Sequence, residues 1–259
     1  MSRTPPPIAV PDPWRSLRRF TRARIALGRV GASLPTRAHL DFQRAHARAR
    51  DAVRLALDFD ALEAALARGG CAVLRLHSRA ADRDTYLQRP DLGRRLDDAS
   101  AARLRRAAEQ LPPPDVVPVI CDGLSSMAIG GQAAAFAARL AAALEGRGLA
   151  AAPFCLVAQG RVAVGDPVGE ILGARMAVVL IGERPGLSSP DSMGIYFTYT
   201  PRTGATDADR NCISNIHAGG LSHEDALEKL LYLMAEADRR RLSGVRLKDE
   251  TPLRARLEP

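Results

Sequence analysis

Short apolar runs alternate with helical stretches along the second half of the chain. The runs are bounded by Gly, Pro or charged residues and have the pattern of buried strands. The predicted strands are residues 116–121, 154–157, 161–164, 177–181 and 195–199. Helical spacing of apolar residues predicts helices at 132–145 and 168–172, and a last helix opens at Ser222 with Asp225 as a capping-box-like partner. Because such alternation favours parallel strands, we predict an α/β fold with a Rossmann-like, mostly parallel sheet flanked by helices.

The first half of the chain is predicted to form a smaller, mainly helical region. Asp12 and Pro13 are typical of a helix start, and the residues after them predict a helix that carries Trp14, Leu17, Phe20 and Leu27. Further along, the pattern predicts a second helix, a strand, a loop and a third helix. Their ranges are residues 36–57, 71–76, 86–94 and 97–110.

The clearest linker is the Leu-Pro-Pro-Pro segment at residues 111–114. We therefore predict a helical and mixed N-terminal domain at residues 14–111 and an α/β domain at residues 115–248. The Pro-rich start, residues 1–13, and the end, residues 249–259, are predicted to be tails, the first of them disordered.

The chain is basic, with 37 Lys and Arg residues against 29 Asp and Glu residues and a formal charge of +8. Such a charge attracts polyanions at low salt. Nucleic acid is nevertheless disfavoured, since the arginines are spread over helical faces and only 4% of residues are aromatic. The basic strip on the second predicted helix, with Arg44, Arg48 and Arg54, is interpreted as a solvated face, and a binding patch is the alternative.

Other features favour a cytoplasmic protein. No stretch approaches the roughly 18–20 uninterrupted apolar residues of a membrane span, and the start has no apolar signal core. The four cysteines, Cys71, Cys121, Cys155 and Cys212, lie tens of residues apart. Reduced thiols are therefore expected, and no metal site is predicted.

Two carboxylates follow predicted strands directly, at the sheet edge where α/β proteins bind ligands. Asp122 lies at the end of strand 116–121, and it either caps the next helix or faces a ligand. Glu183 follows strand 177–181 between Gly182 and the Pro185-Gly186 turn, which allow close backbone approach. A ligand contact and a turn carboxylate paired with an arginine are both consistent with this position.

A third candidate segment, residues 209–220, contains Cys212 and His217. A thiol nucleophile with a histidine base is one interpretation. Their spacing of five places them neither together on a helix nor on one strand face, so a packed thiol and a hydrogen-bonded histidine are favoured. Phosphate-loop, dinucleotide, zinc-protease and hydrolase motifs are absent from the sequence. The residues alone therefore predict an α/β ligand-binding protein without a complete catalytic set.

Several segments, in this order, resemble the small subunit of adenosylcobalamin-dependent ethanolamine ammonia-lyase. The similar residues cover about positions 14 to 240. The segments are Gly28-Arg29 with 36–53, Tyr86-Leu87-Gln88-Arg89-Pro90-Asp91-Leu92-Gly93-Arg94, Asp122-Gly123-Leu124-Ser125, Gly160-Arg161-Val162, Gly169-Glu170-Ile171-Leu172-Gly173-Ala174, Gly182-Glu183-Arg184-Pro185-Gly186-Leu187 and Cys212-Ile213-Ser214-Asn215-Ile216-His217.

The resemblance implies a subunit of a two-chain enzyme. In the family, a larger barrel subunit binds ethanolamine, and the smaller subunit closes over the cobalamin. A radical mechanism, for which adenosylcobalamin supplies the hard chemistry, then releases acetaldehyde and ammonia. The family's small-subunit contacts to cobalamin match Val162, Glu183 and Cys212, and no catalytic residue or metal ligand is carried over. The chain is not expected to be active without the large subunit.

The resemblance leaves two questions open. Family members that enter bacterial microcompartments have a longer N-terminal extension, whereas 13 residues precede the first predicted helix here. A cytoplasmic enzyme is therefore expected, with the microcompartment as the alternative. The alternative function is a non-enzymatic, basic α/β module that binds nucleotides or nucleic acid.

Overall fold

The structure is a computed structural model that describes residues 8–251. The predicted tails fall mainly outside this range, since residues 1–7 and 252–259 are not among the described residues. The domain division at the Pro-rich segment stays a prediction. Strand Val73–His77, which precedes that segment, pairs with strand Phe154–Ala158, which follows it, so one sheet takes strands from both sides.

The sheet has six strands in the order β1-β3-β2-β4-β5-β6. The strands are β1 (Val73–His77), β2 (Val116–Cys121), β3 (Phe154–Ala158), β4 (Met176–Gly182), β5 (Met193–Tyr199) and β6 (Arg210–Ile216). Strands β1 to β4 are mutually parallel, whereas β5 is antiparallel to both β4 and β6. The α/β sheet flanked by helices is confirmed, but the Rossmann-like, mostly parallel description is not, because the sheet is mixed. A parallel neighbour needs a crossover connection, and the loop from β4 to β5 contains no helix.

Seven α-helices surround the sheet in the described residues. They are α1 (Thr36–Arg54), α2 (Phe59–Arg68), α3 (Arg83–Gln88), α4 (Asp98–Gln110), α5 (Ser126–Glu145), α6 (Gly165–Leu172) and α7 (His223–Arg240). Helices α2, α5 and α7 contribute Leu66, Phe136 and Leu230 to the core on one sheet face. Helices α4 and α6 contribute Leu104 and Val168 to the core on the other. The sheet is therefore covered on both faces, as predicted.

Several elements differ from the sequence prediction. The predicted strand at 161–164 is a 3-10 turn, Val162–Val164, because Gln159 adopts a left-handed backbone conformation (φ 54°) that ends β3. The predicted loop at 86–94 includes the end of α3, and the predicted first helix is a short 3-10 helix, Pro13–Arg19. Helix α2 and strand β6 were not predicted. Polar residues interrupt the apolar pattern of β6, which is an edge strand.

Helix α5 is the one helix within residues 8–251 that is long and apolar enough to cross a membrane. Its buried side chains include Ile129, Phe136 and Leu140, which pack in the same core as α2 and α7. That arrangement is typical of the central helix of a packed sheet. The Ser125 hydroxyl caps its first turn by accepting a hydrogen bond from the Ala128 amide at 3.2 Å.

A buried ion pair attaches the edge strand β6 to α6. The Arg210 guanidinium contacts the Asp166 carboxylate, and each side chain is only 3% exposed. Arg210 also donates to the Ala205 carbonyl at 2.7 Å. The pair therefore links the last strand of the sheet to the helix that follows β3.

We expect Asp166→Ala to lower the free energy of unfolding by about 3 kcal/mol, because it leaves the buried Arg210 charge without its main partner. Urea denaturation of the purified chain measures this. Asp98→Ala is the matched control: its pair with Arg79 is exposed (94% and 46%), so the loss should be within about 1 kcal/mol. Equal losses in the two variants would show that the buried pair has no special role.

Candidate functional site

Glycines allow the loops at the carboxyl ends of β2, β3 and β4 to pack closely. A Cβ on Gly182 would lie 2.1 Å from the Ser125 carbonyl oxygen, and one on Gly160 would lie 2.6 Å from Cys121 Sγ. Gly123 adopts φ +63°, and its Cβ would lie 2.3 Å from the Gly182 carbonyl oxygen. These glycines occur in the segments that carry the family resemblance, so part of that resemblance reflects backbone packing.

Asp122 holds two of these loops together. Its carboxylate is buried and accepts hydrogen bonds from the amides of Gly123 (3.0 Å), Gln159 (3.1 Å) and Gly160 (3.1 Å). Arg83 approaches it to 3.8 Å. Burial raises the pKa of Asp122, and the Arg83 charge and the three amides oppose that shift. Asp122 thus neither caps α5 nor faces outward, and its role is structural.

A stack of cations on a buried tyrosine supports the loop that carries Val162. The guanidinium carbons of Arg83 and Arg161 lie 4.7 and 4.0 Å from the centre of the Tyr86 ring. Arg161 also donates to the Tyr86 carbonyl at 2.9 Å, and Arg83 donates to the Gly123 carbonyl at 2.8 Å. The segments around residues 83–94, 122–124 and 159–162 therefore form one connected support.

Glu183 projects from the end of β4 toward β5 and β6. Its carboxylate accepts a hydrogen bond from the Ser192 hydroxyl at 2.6 Å. The backbone N–H of Asn215 also donates to it, with the nitrogen 3.4 Å from Oε1 and 3.3 Å from Oε2. Gly194 makes room for it, since a Cβ there would lie 2.8 Å from Glu183 Oε1. These bonds replace the arginine pairing that was the alternative, and they fix the half-buried carboxylate in place.

Cys212 lies on the edge strand β6 opposite Tyr196 of β5, and the two residues are paired in register. The residue is exposed, yet desolvation of the thiol raises its pKa, and the nearby Glu183 charge raises it further. Desolvation also raises the pKa of Tyr196. Both groups are therefore neutral near pH 7 and act as hydrogen-bonding and packing surfaces.

Val162 opens the 3-10 turn that follows β3 and is half-buried. It packs against the core on the face covered by α4 and α6, as Tyr196 does from β5. Val162, Glu183 and Cys212 thus follow or lie on β3, β4 and β6. With strands about 4.8 Å apart, β3 and β6 are separated by roughly 19 Å across the sheet. Only a large ligand can reach all three.

Tyr196 and Ser192 were missed by sequence reasoning. Tyr196 belongs to the site because it is paired in register with Cys212. Ser192 belongs to it because its hydroxyl donates a hydrogen bond to Glu183. The first contact depends on the antiparallel pairing of β5 with β6, and the second depends on the antiparallel pairing of β4 with β5. A tyrosine inside an apolar strand gives no signal of this role in a single sequence.

The side chain of His217 forms hydrogen bonds with residues of its own loop. Its Nδ1 accepts a hydrogen bond from the Gly219 amide at 3.1 Å, so its Nε2 carries the proton and donates to Asn215 Oδ1 at 2.8 Å. Asn215 has a left-handed backbone (φ 65°) at the irregular end of β6, which separates His217 from Cys212. The structure therefore favours the packed thiol and hydrogen-bonded histidine over the nucleophile and base.

Comparison with known proteins identifies the family of the chain. A family model described as ethanolamine ammonia-lyase light chain matches residues 11–248. The chain is 58% identical over 243 residues to the ethanolamine ammonia-lyase small subunit of Pseudomonas syringae pv. tomato, covering 93% of this chain and 85% of that protein. It is 59% identical over 251 residues to the small subunit of Azotobacter vinelandii, covering 96% and 93%. Because model and relatives span most of the chain, it belongs to the ethanolamine ammonia-lyase small-subunit family and is one subunit of a hetero-oligomeric lyase.

Proposed function

We propose that this chain joins a large catalytic subunit in ethanolamine catabolism and closes over adenosylcobalamin. In this proposal the large subunit converts ethanolamine to acetaldehyde and ammonia by a radical mechanism. Val162, Glu183 and Cys212 contact the cofactor from the small-subunit side. The arrangement that supports this most directly is the group formed by Glu183 at the end of β4 and by the paired residues Tyr196 and Cys212 on β5 and β6. Cys212 is exposed, and Glu183 and Tyr196 are half-buried.

The exposure of this group distinguishes it from the rest of the same sheet face. Helices α4 and α6 cover that face over β2, β3 and β4, where Val119, Val157 and Val179 are buried. Tyr196 is half-buried and Cys212 exposed, although both belong to the sheet. A sheet surface that the chain does not cover itself is available to a ligand and to the subunit that holds it.

The chemistry of these residues fits the rim of a corrin, which carries amides that donate and accept hydrogen bonds. A carboxylate has about four lone-pair positions, so Glu183 can accept from an amide in addition to Ser192 and Asn215. Val162 offers an apolar wall, and the neutral Cys212 thiol a small polarizable one.

When bound, adenosylcobalamin supplies the radical chemistry, and the chain's residues bind, orient and exclude water. The carboxylate of Glu183 is held by two donors before any ligand arrives, so little is lost in ordering it. The neutral thiol of Cys212 presents no reactive thiolate to the cofactor. We also propose a cytoplasmic location, with a bacterial microcompartment as the alternative.

We expect Glu183→Gln to weaken cobalamin binding in the reconstituted complex by about tenfold. The amide oxygen still accepts from Ser192, but the hydrogen bond to the cofactor loses its charged acceptor, a difference of roughly 1.4 kcal/mol. Titration of the complex with adenosylcobalamin, followed by its visible spectrum, measures the affinity. The rate at saturating cofactor should change less, because ethanolamine is bound by the large subunit.

Glu109→Gln makes the same charge change on the exposed face of α4 and is the matched control. It should leave cobalamin affinity unchanged. If the Glu183→Gln complex assembled normally and bound cobalamin like the control, Glu183 would be a structural carboxylate that only joins β4 to Ser192 and Asn215.

Cys212→Ala is expected to keep most of the activity of the assembled enzyme. A packing thiol loses only a few contacts beside its paired residue Tyr196, whereas loss of a nucleophile would remove nearly all turnover. Steady-state kinetics at saturating cofactor distinguish the two. A fall of several orders of magnitude in kcat, with cobalamin still bound, would mean that the thiol takes part in the reaction.

A further inference from the structure

The N-terminal part of the described chain is mostly exposed. We define residues 8–54 as the arm, which includes the 3-10 helix Pro13–Arg19 and helix α1. Ala52 is the only buried residue of the arm. Eight of the thirteen exposed large apolar side chains in the described residues belong to it, including Trp14 at 67%, Phe20 at 72% and Leu40 at 56%. So many exposed aromatic and aliphatic groups indicate an interaction surface.

The arm also carries the net charge of the chain. It contains eleven arginines and three aspartates, with no lysine or glutamate, which gives a formal charge of +8. Residues 55–259 contain twenty-five basic and twenty-six acidic residues and are nearly neutral. The basic character noted from composition therefore belongs to one segment, and its partner must be negatively charged.

The arm lies next to the loop that follows Glu183. Arg24 Nη2 donates to the Leu187 carbonyl at 3.3 Å, and a cavity beside the arm is lined by Arg22, Arg24 and Ser188. A Cβ on Gly219 would lie 2.0 Å from Arg22 Nη1, so the arm also touches the loop after β6. The arm surface is thus continuous with the exposed surface around Glu183 and Cys212.

We propose that the arm docks on an acidic surface of the large subunit, with Trp14 and Phe20 seated in apolar depressions and the arginines paired with carboxylates. The proposal rests on the proposed function only in taking the large subunit as partner. Because the arm surface is continuous with the site, one partner can cover both the arm and the cofactor surface. In this arrangement the arm aligns the two subunits over the cofactor.

The composition of the arm favours a protein partner over a membrane or a nucleic acid. Arginine, tryptophan and other aromatic residues are enriched at the energetic centres of protein interfaces, and arginine pairs with carboxylates through two parallel bonds. A membrane-surface helix would need its large apolar groups on one helical face. Here Trp14 and Phe20 precede Leu40 in a separate element, and Leu40 and Phe42 are two positions apart on α1. Residues two apart do not share a helix face.

The test compares two double charge reversals. Arg18→Glu/Arg19→Glu changes exposed neighbours in the arm, and Arg105→Glu/Arg106→Glu changes exposed neighbours on α4 by the same charge. Affinity for the purified large subunit, measured by calorimetry at several salt concentrations, should fall on the order of a hundredfold for the arm variant. The α4 variant should bind like the wild type. The arm variant should also show a weaker dependence of affinity on salt.

A second variant, Trp14→Ser/Phe20→Ser, tests the apolar anchors. Both side chains are exposed, so the melting temperature of the isolated chain should be unchanged, while affinity for the large subunit should fall at least about thirtyfold. At concentrations that force assembly, cobalamin affinity of the arm variants should equal that of the wild type. Glu183→Gln should show the reverse, with normal assembly and weaker cobalamin binding, so the two proposals fail separately.

Parallel measurements use vesicles rich in phosphatidylglycerol, a DNA duplex and sedimentation of the chain alone. The proposal expects the arm variants to lose binding to the large subunit specifically. It is overturned if both arm variants bind the large subunit like the wild type. It is equally overturned if the arm mutations remove binding to vesicles, to the duplex or to a second copy of the chain, and leave binding to the large subunit intact.

Discussion

Purified alone, the chain is expected to release no ammonia from ethanolamine when adenosylcobalamin is supplied, and turnover is expected only after the large subunit is added. The reason lies in the groups that the chain presents. Glu183 accepts hydrogen bonds from Ser192 and Asn215, and His217 is hydrogen-bonded to Asn215. The pKa of Cys212 is raised. None of these three groups is placed to bind the amine of ethanolamine and to remove a hydrogen from its carbon atoms. Acetaldehyde formation, coupled to an alcohol dehydrogenase, measures the turnover.

The control is a mixture of the large subunit with chain that has been unfolded by heat, which should also be inactive. Titration of folded chain into a fixed amount of large subunit should raise the rate until the sites are filled, as expected of a stoichiometric subunit. Turnover by the chain alone, from a host without the large-subunit gene, would contradict the assignment of the reaction to the partner. It would revive the thiol enzyme that uses Cys212 and His217.

The central elements of the fold could be predicted because they obey strong local patterns. Strand β2 has the predicted bounds, and β4 differs by one residue at each end, since both are continuous apolar runs buried on both faces. The start of α7 was also predicted, because Ser222 accepts the hydrogen bond of the Asp225 amide at 3.1 Å. Such signals depend only on neighbouring residues.

The direction of β5 was not predicted, although the sequence limits it: a parallel neighbour needs a crossover connection, and the short loop between β4 and β5 contains no helix. The β4 to β5 loop returns the chain antiparallel to β4 and brings Ser192 to Glu183, and the antiparallel pairing of β5 with β6 places Tyr196 opposite Cys212. Sequence reasoning therefore placed Glu183 correctly at a strand end but could not find its partners. For Asp122 the position was also right, whereas its buried contacts with the Gln159 and Gly160 amides depend on a distant loop.

The role of the basic residues could also be predicted only in part from the sequence. The basic strip of α1 was interpreted as a solvated face, and its arginines are exposed, with Arg44 paired to Asp41 and Arg54 to Asp84 at the surface. Composition counted the excess charge over the whole chain. Only the structure shows that the segment carrying it is also the segment whose aromatic residues are uncovered. The two observations together indicate a partner, which neither does alone.

Gly182→Ala is expected to unfold the chain, or to lower its free energy of unfolding by more than about 5 kcal/mol. The new Cβ would lie 2.1 Å from the Ser125 carbonyl oxygen, 2.6 Å from the Ser125 carbonyl carbon and 2.7 Å from the Asp122 carbonyl oxygen. All three are backbone atoms at the junction of β2 and α5, so no side chain can rotate away. Since the free energy of unfolding of a domain is only about 5–15 kcal/mol, a clash of this size removes most of it.

Gly131→Ala is the matched control, because Gly131 is an exposed residue of α5 with no atom within 4 Å of a built Cβ. There alanine should stabilise the helix by roughly 0.5–1 kcal/mol. Urea denaturation followed by circular dichroism compares the two variants, and the yield of soluble protein gives a second reading. If Gly182→Ala unfolded at nearly the same urea concentration as the wild type, the end of β4 would have to move away from Ser125. Glu183, the next residue, would then move with it, and cobalamin affinity of the assembled variant should fall.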